Sequence, residues 1–170
     1  MSSHSDRSYE PLTKDDLKQL ADKVIKKLKD QNKPLASLGC VVLSQNGARH
    51  YLNSVNGTPN QAPGIHDFDT IAFFTGDLDH ETGPRALKTK SGLKKFGYCK
   101  ICGSSEGETR NVDIFCRKLK LEDTDIRKSV ERFFSEGDTP WIKLIGERPC
   151  IGIFPNELLG ERLWNGVKKT

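Results

Sequence analysis

The chain has 170 residues, 35% hydrophobic and 29% charged, with a formal net charge of +4. That length supports one domain with a real hydrophobic core, and no stretch approaches the roughly eighteen apolar residues a membrane span needs. So mild a charge does not by itself imply nucleic acid, and five cysteines, an odd number, do not suggest a disulfide framework.

The opening "MSSHSDRSYE" lacks the apolar core of a secretion signal, which places the expected site of action in the cytoplasm or nucleus. Residues 1–11 are polar and unpatterned and read as a flexible tail, with 12–170 forming a single α+β domain. "TKDDLKQLADKVIKKLKD" predicts a helix. Thr13 is its cap, with Asp16 three residues on, and Leu17, Leu20, Ala21, Val24 and Leu28 share one face. Aspartates crowd its first turn and lysines the later ones, which suits the helix dipole.

"LGCVVLSQNGARHYLNSV" reads as a β-hairpin turning at Asn46-Gly47, with Cys40 and His50 as strand residues. "NGTPNQAPG" is a loop, and "TIAFF" a short buried strand. His66 in "GIHDFD" sits beside two aspartates, which can orient it or join it in recruiting a metal, although a merely polar loop is the blander reading. "VDIFCRKLKL" predicts a strand with Val112, Ile114 and Cys116 on one face. "DTDIRKSVERFFSEG" predicts an amphipathic helix ending at Gly137. "WIKLI" and "CIGIF" read as a closing hairpin around Gly146-Glu147, and "NELLGERLWNGVKK" as a last helix capped by Asn156. The expected fold is α+β: a mainly antiparallel sheet, an N-terminal helix and two C-terminal helices, stabilised by zinc.

Cys99 and Cys102 form a C-x-x-C followed at once by Gly103. Two thiolates about 2.3 Å from a zinc ion need a tight turn, and a glycine after it lets the next amides approach the sulfurs. "YCKICG" resembles the zinc knuckle of zinc ribbons and treble clefs. Tetrahedral zinc takes four ligands. Cys116 is the expected third, with His80 or Cys150 as the fourth. Against this stands a core role for Cys116, since a buried cysteine behaves as a small hydrophobe. A redox role for the pair is weak, because a turn-rich loop and not a helix follows Cys102.

Charge is unevenly placed. Residues 58–81 hold five acids and no lysine or arginine, whereas residues 84–105 carry Arg85, Lys88, Lys90, Lys94, Lys95 and Lys100 and no acid. Lysines neutralise phosphates and aromatic faces stack on bases. Arg85, Lys88, Lys90, Lys94 and Lys95 are therefore candidate RNA or DNA phosphate contacts, with Phe96 and Tyr98 as a stacking platform. Loops of this composition are also often only solvated.

Two catalytic comparisons arise from "GDLDHETGP". Asp79-x-Glu81 is similar to the opening motif of DnaQ-like exonucleases, but the later acid and histidine or tyrosine those sites need are missing. His80 with Glu81, then Cys99-x-x-Cys102, is similar to the zinc-dependent cytidine deaminases, which use a His-x-Glu helix. Here Glu81 is adjacent to His80, and glycine and proline interrupt the helix. There is no P-loop, Rossmann fingerprint or nucleophile elbow. Binding is favoured over catalysis. The expected protein is a small zinc-binding accessory or regulatory protein contacting nucleic acid, with no membrane association. The alternatives are a protein-interaction module with structural zinc, and a zinc-dependent hydrolase using Glu81.

Overall fold

The computed structural model describes residues 7–76 and 85–166. His80, Glu81 and the acidic residues Asp77 and Asp79 fall outside them. Among the described residues no helix is long and apolar enough to cross a membrane.

The first helix, α1 (Lys14–Asp30), starts where its sequence says. Thr13 Oγ1 accepts the Asp16 amide at 3.2 Å, and Asp16 Oδ2 accepts the Thr13 amide at 2.9 Å, satisfying two amides that helix geometry leaves unpaired. Strand β1 (Leu38–Leu43) follows. The expected second arm of a hairpin is instead α2 (Gln45–Val55), and Asn46-Gly47 lies in its first turn. Ala48, Tyr51, Leu52 and Val55 have helical spacing, and both edges of β1 are taken by β2 (Phe68–Phe74) and β5 (Cys150–Phe154), so no hairpin partner fits beside it.

Strands β3 (Leu87–Lys90) and β4 (Asn111–Lys118) extend the sheet. Helix α3 (Ile126–Glu136) ends at Gly137 as its pattern predicts. "WIKLI" is not a strand but α4 (Pro140–Ile145), because Pro140 suits a first helical turn and Thr139 Oγ1 accepts the Ile142 amide at 3.2 Å. The expected last helix is replaced by a short turn at Asn156–Leu158 and the edge strand β6 (Arg162–Trp164). Gly160 breaks any helix there with a φ of +80°.

The α+β class therefore holds, with a mixed sheet ordered β3-β4-β2-β1-β5-β6. The β2/β4 pair is parallel and its other pairings are antiparallel. A parallel pair needs a crossover, and the stretch between β2 and β4 supplies it while laying β3 on the outer edge. Alternation sorts the side chains onto two faces. Val112, Ile114 and Cys116 join Phe68, Ala72 and Phe74 under α1 and α2. Ile71 and Phe73, with Phe115 at the margin, pack under α3 and α4. Asp69 and Asp113 continue this second face towards the other end of the sheet, at the starts of β2 and β4.

Candidate functional site

The knuckle forms as a tight turn outside β3. The Cys102 amide donates to Cys99 O at 3.2 Å and the Ser104 amide to the same oxygen at 3.0 Å. Gly103 has a φ of +97°, which is why a glycine stands there. Ser104 Oγ accepts the Cys99 amide at 2.6 Å and donates back to Cys99 O at 3.1 Å. Asn111 Nδ2 donates to Cys102 O at 2.8 Å, tying the turn to β4.

Inside this frame Cys99 and Cys102 are joined as a disulfide, their Cα atoms 5.2 Å apart. That spacing lies within bridging range, so the turn that suits a metal equally suits a bond between the sulfurs. His66 is the third member. Its Nδ1 lies 3.8 Å from Cys99 Sγ, and the donor atoms of His66, Cys99 and Cys102 all lie within 4.8 Å of one another. With the disulfide reduced to two thiolates, these three residues can hold a metal ion. The fully buried Arg110 locks their surroundings: its Nη1 donates to Ile65 O at 2.8 Å and His66 O at 2.9 Å, and its Nε to Phe96 O at 2.6 Å.

Two expected ligands are displaced. Cys116 is fully buried in the core beneath α1, where burial pushes its thiol up, and it is not in the cluster. Cys150 is buried in the opposite core beside Cys40, whose thiol is pushed up to about 12 by burial. His80 lies outside the described residues. His66 was legible only as a histidine beside aspartates. Its approach to Cys99, distant in sequence, is a product of the fold.

The basic run does not form one surface. Phe96 is fully buried against Phe68, edge to face at 5.5 Å, so it serves the core and cannot stack on a base. Tyr98 is half-buried. Lys95 Nζ reaches Asp16 Oδ2 at 2.6 Å and belongs to the N-terminus of α1. Arg85 and Lys94 are exposed. Lys88 and Lys90 share one side of β3: Lys88 Nζ is 3.7 Å from Asp113 Oδ1, and Lys90 Nζ donates to Asn111 Oδ1 at 2.7 Å. Together with Thr89, Asn111, Cys102 and Gly103 they line an open pocket of about 440 Å³.

Beside that pocket three aspartates converge. Asp69 on β2 is directly in register with Asp113 on the parallel β4, and Asp113 with Lys88 on β3. Asp67 stands just before β2. Burial is the main cause lifting all three carboxyls, with Asp113 adding repulsion: Asp67 rises to about 6 and Asp69 to about 7. Asp69 shares a side-chain hydrogen bond with Asp113, raising the first and lowering the second, so Asp69 is the member that keeps a proton. Asp67 accepts the Asn111 amide and feels Arg110. Even so, Asp67 Oδ1 is buried without a hydrogen-bond partner, and buried Asp113 Oδ1 makes no hydrogen bond, its contact with Lys88 Nζ being a long ion pair. Next to them Ser44, at the end of β1, gives its amide and hydroxyl to Asp69 O at 2.9 and 3.2 Å, and α2 opens with no side-chain cap.

Carboxylates, an uncapped helix start and lysines gathered at one sheet end are groups of the kinds that can hold a cation and a phosphate. The sequence showed Asp67 and Asp69 within an acidic run and beside His66, as carboxylates that could join that histidine in recruiting a metal. The signal for Asp113 was a lone acid in an apolar strand, which says nothing about its partners. No protein-family model, curated protein or solved structure matches this chain.

Proposed function

We propose that this protein acts on a phosphate ester through a divalent cation held by Asp67, Asp69 and Asp113, with nucleic acid or a nucleotide as the phosphate bearer. One observation carries this reading: Asp69 and Asp113 on paired strands meet Asp67 just before β2, with buried Asp67 Oδ1 left without a partner and buried Asp113 Oδ1 met by no hydrogen bond but by the Lys88 ammonium at 3.7 Å. Crowded carboxylates repel one another and hold protons, and a divalent cation offsets both costs at once. Such sites are built to clamp phosphate oxygens in phosphoryl transfer. Lys88 and Lys90 supply cationic contacts along β3. Lys88 is 62% exposed and its contact with Asp113 is long, so the lysine is free to turn to a phosphate at small cost. Phe96 is buried and Lys95 is bound to α1, so neither contributes to this contact.

The second element of the reading is zinc on the reduced Cys99 and Cys102 with His66, as a structural pin for the turn that borders the pocket. Two thiolates and an imidazole suit zinc, and three protein donors leave one tetrahedral position for another group. Zinc binding free energy there appears as stability of the turn.

The test is calorimetry with Mg²⁺ and Mn²⁺ on the full chain, then assay of nucleoside triphosphates and single- and double-stranded oligonucleotides for phosphate-bond turnover. Cation binding lost in Asp69→Asn and Asp113→Asn, and turnover lost with it, is the expected result. Binding of oligonucleotides that weakens steeply with salt but shows no turnover would leave an accessory nucleic-acid binder. No cation binding at pH 8 would overturn the carboxylate reading.

A further inference from the structure

His66 has a second partner, and its chemistry conflicts with the metal. Arg7 Nε donates to His66 Nε2 at 2.9 Å. An arginine only donates, so Nε2 is the unprotonated nitrogen, and the proton of the neutral ring lies on Nδ1, facing Cys99 Sγ. A metal on the two sulfurs meets His66 at that same Nδ1. The ring proton must then sit on Nε2, where a metal-bound histidine normally donates outwards. That would set an N–H of His66 against an N–H of Arg7. The two arrangements exclude one another.

Arg7 is also the anchor of the segment before α1. Its Nη1 donates to Pro63 O at 2.8 Å, and Ser8 and Ile65 exchange backbone hydrogen bonds at 2.9 Å. Gly64, with a φ of +83°, lets Tyr9 and Arg7 lie directly over it, since a Cβ there would meet the Tyr9 ring at 2.9 Å. The N-terminal strap and the metal cluster therefore share one turn, residues 63–66.

We propose that zinc and the N-terminal strap compete for His66, so that metal uptake at reduced Cys99 and Cys102 releases Arg7 and loosens the strap. This rests on the zinc reading above. The first step is reduction: a small dithiol gives two electrons and two protons to the Cys99–Cys102 bond and itself closes to a cyclic disulfide. The two thiols then lose their protons to solvent as they ligate the ion. The ring proton of His66 passes from Nδ1 to Nε2 by way of water. Oxidised, the site holds the strap. Reduced and zinc-loaded, it lets the strap go.

The experiment uses the full chain, reduced and freed of reductant without oxygen. Zinc affinity is measured against a chromophoric chelator for the native chain, Arg7→Gln, Arg7→Lys and His66→Gln, and nitrogen NMR of the histidine side chains reports the tautomer. The native chain is expected to bind one zinc and to move the His66 proton from Nδ1 to Nε2. Arg7→Gln should bind about tenfold tighter, because a glutamine oxygen accepts the Nε2 proton and no cation faces the ion, whereas Arg7→Lys, still a donor, should not gain. The Ser8 amide should exchange faster in the loaded protein. Equal affinity for Arg7→Gln with Nε2 still unprotonated would overturn the competition while leaving zinc binding intact. Undiminished binding by His66→Gln would remove His66 from the site and the proposal with it. No zinc uptake by the reduced native chain would overturn the zinc reading first, and this one with it.

Discussion

Burial lifts the Asp69 carboxyl to about 7 and Asp67 to about 6, from an ordinary value of 3.8, with Asp113 adding repulsion to both. The folded chain thus keeps protons that the unfolded chain has already released. Their contribution to stability is complete below pH 4 and is lost as pH rises through 6 and 7. Asp69→Asn removes the titrating group while keeping its size. In cation-free buffer at pH 8 the variant should melt higher than the native chain by roughly 3 °C or more. The gap should close towards pH 4 and reverse under saturating Mg²⁺. A gap indifferent to pH, read by thermal denaturation followed by circular dichroism, would show that Asp69 is not the group that titrates. By the same linkage, cation affinity should climb between pH 6 and 8 as Asp69 yields its proton. The two-residue spacing of Asp67 and Asp69 was visible in the sequence. That their carboxyls face Asp113 was not, because strand register decides it.

A serine helps to hold the knuckle turn alongside its cysteines. Ser104 Oγ is the partner of both the amide and the carbonyl of buried Cys99. Ser104→Ala leaves that amide unpaired, and a cost of about 1–3 kcal/mol should appear in urea unfolding. At β3, Lys88→Ala with Lys90→Ala should weaken oligonucleotide binding and reduce its salt slope by about two. An unchanged slope would place the phosphate contacts elsewhere. Helices α1 and α3 and strands β2 and β4 were legible because cap, period and length agree within each segment. Helix α2 was not, since Asn-Gly is a strong turn signal only when the flanking runs can pair, and β1 already has partners on both sides. Helix α4 carried its signal in Thr139-Pro140, which the apolar run after it obscured.

Arg110 joins the parts. Its guanidinium, wholly buried, collects the carbonyls of Ile65, His66 and Phe96, drawn from the turn before β2 and the turn after β3, with Asp67 as its acidic neighbour. Arg110→Met removes every one of those donors at once and should cost at least about 3 kcal/mol of stability, because buried carbonyls without donors are expensive. The same variant should lose the thiol–imidazole cluster, seen as weaker zinc uptake by the reduced chain. Native-like stability in Arg110→Met would mean that water replaces the guanidinium. The sequence by itself determined the α+β class, the capped first helix, the amphipathic third helix, the two central strands and the tight turn at Cys99 and Cys102. All of these rest on neighbours within a few residues, where periodicity and capping act. Only the tertiary structure decided that Cys116 and Phe96 are core, that His66 meets the cysteines, and that Asp67, Asp69 and Asp113 share one end of the sheet. Those meetings depend on which strands pair and in what register, which the whole core settles by burying its apolar face, and which no local pattern records.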